Sequence, residues 1–201
     1  MNAIPSSDKV SITATELIDR YRAGERDFRG ICLLSGSDLS GVCLSGIDLS
    51  RSELQGVNFS QASLRGANLS EVNLSEANLS ETNLAGASIS GSTLSRTILT
   101  GAHLGEADLS GSLLLEAEMS NTLLHLTCLS EADMRGANLT GAKMCGARLW
   151  KANLHQAILN GADLCDANLC EANLNRASME MTETSETTLT GAVMPDGSVH
   201  P

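Results

Sequence analysis

The stretch GANLSEVNLSEANLSETNLAGA, residues 66–87, places Leu69, Leu74, Leu79 and Leu84 five residues apart. In an α-helix, at about 100° per residue, five steps carry each leucine roughly 140° further round the axis, so the four face every direction. In a flat strand the odd spacing throws them onto alternate faces. Neither regular element buries them all. Working outward, every fifth position from Leu34 to Met179 is apolar, thirty in succession, with Phe59, Ile89, Met119, Met134, Met144 and Met179 standing in for leucine. After a lapse at Thr184 the phase returns at Leu189 and Met194. Self-similarity at a fixed short period marks a stacked architecture rather than a folded globule.

A second constrained position lies two residues before each central one and is nearly always Ala, Ser, Thr or Val, as in Val57, Ala62, Ala67, Val72, Ala77 and Thr82. The unit is therefore small, polar, large apolar, polar, polar. Residues two apart share one side of an extended chain, so the small and large positions both point inward while the residue between them points out. The last two must turn the chain, and SG, SE and TG suit tight turns. Extended pieces joined by turns coil into a solenoid whose successive coils stack about 4.8 Å apart. A lumen this narrow takes only one bulky side chain per unit at close packing density, which accounts for the small partner.

The pattern A(N/D)LxG, present as GANLS, GANLT and GADLC, resembles the pentapeptide repeat family over about residues 28–194. That resemblance implies an all-β fold, a right-handed quadrilateral β-helix with four pentapeptides per coil. About eight coils then give a rod roughly 40 Å long at the usual strand spacing.

Composition fits. The 201 residues are 42% hydrophobic with a mean hydropathy of zero, sufficient for one continuous core, and no apolar run approaches a membrane span. The opening MNAIPSSDKV has no basic region followed by an apolar stretch, so no secretory signal is expected and the cytoplasm is the expected compartment. Six cysteines without a CxxC pair point to reduced, mostly structural thiols.

Three segments follow: 1–27 with a capping helix, 28–194 as the β-helix, and 195–201 as a turn and tail. In ITATELIDRYRAGERDF, Thr13 and Glu16 have capping-box spacing, Leu17, Ile18 and Tyr21 form an apolar stripe, and Gly24 can end a helix, predicting a lid on the first coil. Phe28 and Leu33 lie one residue out of phase, which predicts an irregular first coil. Pro195, Asp196 and Gly197 predict a closing turn. ELIDRYRAGERDF and MPDGSVH resemble terminal segments of cyanobacterial pentapeptide repeat proteins.

On a twenty-residue wrap, residues twenty apart become vertical neighbours. His125, Cys145 and Cys165 then stack outward in one column, with Asp163 and Asp166 beside them. Steps of about 4.8 Å are wider than Zn–S bonds of about 2.3 Å comfortably bridge, so the column is expected to be surface without a metal. His103 and His155 have no partner nucleophile and no phosphate-binding loop is present; neither enzymatic activity nor a cofactor is expected.

The outward positions turn apolar at Leu113, Leu115, Leu123, Leu126 and Cys128, followed by Trp150. Leu123, His125, Leu126, Cys128, Cys145 and Trp150 fall on adjoining faces and form the candidate patch for a protein partner, with Trp150 as its anchor. A net charge of −11 argues against direct nucleic-acid or anionic-membrane binding. The expected function is a monomeric, non-enzymatic scaffold for an unidentified protein partner. The alternative comes from the family, some of whose rods imitate duplex DNA and occupy type II topoisomerases; here Glu106, Glu116 and Glu131 would supply anions. Against it, Arg51 above Glu71 and Arg96 above Glu116 alternate in sign, and the Pro/Gly tail departs from the apolar terminal helix through which such inhibitors dimerise.

Overall fold

A computed structural model describes residues 9–201; residues 1–8, which begin the N-terminal segment and the stretch read for a secretory signal, lie outside the described residues. The described residues begin with three elements, β1 (Val10–Ser11), α1 (Ala14–Arg22) and β2 (Ile31–Cys32), with β1 parallel to β2. Beyond them the outward residue of each unit forms a single parallel bridge with the unit twenty residues on. Asp38↔Asn58, Cys43↔Ser63, Asp48↔Asn68 and Glu53↔Asn73 begin four such ladders, which define first to fourth faces of the solenoid in that order.

The turns explain the polar pair. In the unit of Leu54, the Val57 N–H donates to the Leu54 carbonyl at 3.2 Å, and Gly56 between them has φ 66°, the positive value a type II turn requires at its third residue. The outward Asn supplies a second clamp: Asn58 Oδ1 accepts from the Ser60 N–H at 3.1 Å, an Asx-type closure. Stacked amides then link coils, as where Asn58 Nδ2 donates to Asp38 Oδ1 at 2.9 Å.

Every central apolar residue from Leu39 to Leu174 is buried, and the small partners line the same core. Ser and Thr are admitted there because their hydroxyls find carbonyls: Thr82 donates to Phe59 O at 2.7 Å, Ser92 to Leu69 O at 2.7 Å and Thr127 to Leu104 O at 2.8 Å. Among the described residues no buried side-chain nitrogen or oxygen lacks a partner, so these hydroxyls carry no unmet desolvation cost.

The start of the regular phase is corrected. Leu34 is 74% exposed, whereas Leu33 and Phe28 are buried. Asp27↔Asp48 and Cys32↔Glu53 span twenty-one residues rather than twenty. One extra residue in this circuit turns Leu33 inward and Leu34 out, so the unbroken phase begins at Leu39; the irregularity read from Phe28 and Leu33 lies where it was expected.

At the front, Thr13 Oγ1 accepts from the Glu16 N–H at 3.1 Å at the start of α1, as its side chain should at an N-cap. Leu17 is fully buried, and the Tyr21 hydroxyl donates to Ser45 O at 2.9 Å. At the back, Met179, Leu189 and Met194 are only partly buried. The chain turns with Gly197 N–H donating to Met194 O at 2.9 Å, and Val199 pairs antiparallel with Val193. No helix among the described residues is long and apolar enough to cross a membrane.

Candidate functional site

Because every inward position is committed to packing, functional variation can be written only on outward residues and turns. Leu123 stands in the second ladder between His103 and Lys143, and Cys128 in the third between Asp108 and Arg148. His125 and Leu126 form the corner joining these faces. Successive corners stack directly: Glu106 N–H donates to His125 O at 3.0 Å, Leu126 N–H to Cys145 O at 3.1 Å and Gly146 N–H to Cys165 O at 2.9 Å. One edge of the rod therefore carries, in order, Glu106, then His125 and Leu126, then Cys145 and Gly146, then Cys165 and Asp166.

Leu126 is the anomaly on this edge. Its φ is 57°, and among the described residues Leu126 and Met181 are the two apolar side chains at positive φ; the other non-glycine residues there are Glu, Gln, Arg, Asn, Lys or Asp. A bulky side chain in the left-handed region is an outlier, and Leu126 is also 57% exposed. Gly146 makes room for it: a Cβ there would lie 2.8 Å from Leu126 Cδ2, so the leucine lies over the bare backbone of the next corner.

Trp150 is set apart from this cluster. It occupies the corner between the third and fourth faces, with Arg148 preceding it on the third ladder. Its Nε1 donates to Glu171 Oε1 at 3.4 Å, Lys151 Nζ sits 4.3 Å from the ring centroid, and Lys151 pairs with the same Glu171 at 3.5 Å. The indole is thus tied into its own polar group on one side. Leu113, on the fourth ladder, is exposed, while Leu115 is half-buried.

The three anions do not share a face. Glu106 lies on the Leu126 edge, Glu131 on the Trp150 edge and Glu116 on the edge between the fourth and first faces, where Arg96 Nε donates to it at 2.9 Å. Arg51 likewise pairs with Glu71 at 3.2 Å. The acidic surface is interrupted by cations at the vertical positions the repeat dictates.

All six thiols are free and none is buried, which corrects the expectation of structural thiols: cysteine here takes outward positions and fills no core. Cys145 and Cys165 are stacked, and the Cys145 Sγ, the Cys165 Sγ and an Asp166 carboxylate oxygen all lie within 4.8 Å of one another. Burial, followed by the charges of Asp166, Cys145 and Asp163, pushes the Cys165 thiol up from its ordinary value. Neither the leucine's backbone conformation nor the convergence of these side chains is visible in residue spacing alone.

A family model described as pentapeptide repeats (8 copies) matches residues 32–70, 62–101, 102–141, 129–150 and 147–182. Among solved structures the chain is similar to HetL of the cyanobacterium Nostoc sp. strain PCC 7120, a pentapeptide repeat protein involved in heterocyst differentiation regulation. The two are 32% identical over 94% of this chain and 100% of that one, with a TM-score of 0.48. It is similar also to a trypsin-treated form of QnrB1, a plasmid-mediated fluoroquinolone resistance protein, at 19% identity over 90% of this chain and 89% of that one, with a TM-score of 0.60. A third is alr5209, a pentapeptide repeat protein from Nostoc PCC 7120, at 30% identity over 71% of this chain and 84% of that one, TM-score 0.28. No curated protein matches the chain.

Proposed function

As this chain belongs to the pentapeptide repeat family, we propose that it is a non-enzymatic, monomeric cytoplasmic rod that presents its Leu126 edge to a protein partner. The finer architecture is part of the proposal: a right-handed coil of about eight turns, closed in front by α1. The observation that carries the functional reading is Leu126 itself. Its turn position accepts Gly or a polar residue nearly throughout the repeat, and an exposed leucine there costs backbone strain without filling any core. Eighteen non-glycine residues among those described share this positive φ, so what sets Leu126 apart is its apolar side chain, exposed at a position that otherwise carries Gly or a polar residue, Met181 excepted. Leu123, His125, Cys128 and Cys145 adjoin it and supply a mixed apolar rim; Trp150 is a separate contact point one corner further on.

The DNA-mimic alternative has weaker support. The likeness to QnrB1, at 19% identity, speaks for the fold alone, and the bonded Arg96–Glu116 and Arg51–Glu71 pairs break the continuous anionic stripe that mimicry requires. Affinity capture from native lysate separates the two. A protein retained by the wild type and lost with Leu126→Gly, but kept by a variant carrying Glu106→Lys, Glu116→Lys and Glu131→Lys, supports the scaffold. Topoisomerase subunits lost only on charge reversal replace it with mimicry.

A further inference from the structure

Among the described residues, Cys145, Cys165 and Asp166 form the group of three His, Cys, Asp or Glu side chains whose ligand atoms converge within 4.8 Å. We propose that they are a binding site for a thiophilic divalent cation of the Zn2+ type, with two thiolates and one carboxylate as protein ligands and water in the fourth position.

Spacing alone predicts that a ladder stepping about 4.8 Å is too wide for such a site. That step, however, fixes backbones, and ligand atoms need not keep it. Around a tetrahedral zinc with Zn–S bonds of about 2.3 Å, neighbouring ligand atoms stand roughly 3.8 Å apart. The three atoms here already lie within 4.8 Å of one another, and Cys165 Sγ is 3.8 Å from Asp166 Oδ2. Closure therefore asks for a movement of about 1 Å or less, which side-chain rotation supplies without disturbing the coil.

The backbone beneath is held. Gly146 N–H donates to Cys165 O at 2.9 Å and Asp166 N–H to Ser185 O at 3.0 Å, while Cys165 N–H donates to Asp163 Oδ1 at 3.2 Å. A site on a rigid element keeps its ligands near the productive geometry before the ion arrives. Two sulfurs and one carboxylate suit a borderline-soft d10 cation far better than Mg2+ or Ca2+, which take oxygen ligands. Cys145 and Cys165 are moreover the one vertical cysteine pair in the chain; twenty residues from Cys43, Cys128 and Cys170 stand Ser63, Arg148 and Trp150.

On binding, each thiol releases its proton to solvent, two metal–sulfur bonds and one metal–oxygen bond form, and the ion sheds the displaced waters. The third ligand distinguishes this from a disulfide, which would use the two sulfurs and leave the carboxylate idle. The site lies on the Leu126 edge, so an ion there would sit beside the proposed docking surface.

The full-length protein, reduced and stripped with chelator under anaerobic conditions, is titrated with Co2+ and then with Zn2+. A single equivalent of Co2+ is expected to give a thiolate-to-cobalt charge-transfer band that Zn2+ abolishes. Cys145→Ser and Cys165→Ser should each remove the band, and Asp166→Asn should weaken binding by at least roughly tenfold, the loss that removal of even an outer-shell partner causes. Cys170→Ser should behave as the wild type. These are outward positions, so a circular dichroism spectrum and melting curve like those of the wild type establish that each variant is folded. Absence of the band in the reduced wild type, or uptake that survives replacement of both cysteines, overturns the proposal. So does a reduced chain that forms the Cys145–Cys165 disulfide on mild oxidation while ignoring both metals.

Discussion

Replacing Leu126 by glycine tests whether this leucine serves the fold or its surface. Two opposing effects follow from its geometry. Glycine releases the strain of φ 57°, worth about 1–2 kcal/mol for an L-residue in the left-handed region, but adds back about 0.5–1 kcal/mol of unfolded-chain entropy. The net gain is about 0–1.5 kcal/mol. Against it stands the part of the side chain that is covered. At 57% exposure, somewhat under half of a full leucine transfer of about 1.5–3 kcal/mol is lost, roughly 1 kcal/mol. The two nearly cancel, so Leu126→Gly should leave stability within about 1 kcal/mol of the wild type. Leu124, two residues away and fully buried, is the internal comparison: Leu124→Ala should cost about 2–5 kcal/mol through lost transfer and the cavity left between coils. Urea unfolding of the three proteins, followed by circular dichroism and compared at constant m-value, measures both differences. A loss above about 2 kcal/mol for Leu126→Gly would show that the leucine is held for packing, and the argument for a docking edge would fail with it.

Two further outcomes rest on other parts of the molecule. Thr127→Val removes the donor to Leu104 O while keeping the shape; because that carbonyl still accepts from the Ala107 N–H at 3.0 Å, the cost should be only about 1 kcal/mol, and a change below a few tenths in urea unfolding would deny the hydroxyl its stabilising role. Asp27 is held down to about 2, first by the Arg29 guanidinium and then by the Arg29 backbone N–H. A depressed carboxylate contributes stability above its ordinary range near 3.9, and that contribution is lost as pH falls from there through about 2. Arg29→Gln removes the larger cause and leaves the backbone bond, so the Asp27 midpoint, followed by carboxyl carbon NMR, should rise part of the way to the ordinary value; an unchanged midpoint would remove Arg29 as the cause.

The period of five made the coil legible because each inward position has a single tolerable chemistry. The error at Leu34 shows the limit of that legibility. Leu33 and Leu34 are both apolar, so counting backwards from Leu39 passes smoothly onto Leu34, and only the twenty-one-residue register of Asp27 with Asp48 decides which of them turns in. Outside the core the same period places residues in columns but does not aim them. It set Leu123, His125, Leu126, Cys128 and Cys145 on adjoining surfaces, whereas Trp150 stands one corner further on, where Lys151 and Glu171 hold its indole.

The thiols of Cys145 and Cys165 escaped for a related reason: the ladder step is a property of backbones, whereas coordination is decided at side-chain tips two bonds further out. Leu126 is informative because it combines both levels. Its place in the unit is a positive-φ turn position that the repeat fills with Gly or a polar residue nearly throughout, and there an exposed apolar side chain stands outside the core. On a scaffold whose interior is uniform, such departures from the local rule are where function can be sought, since the fold can spare the side chain at little cost in stability.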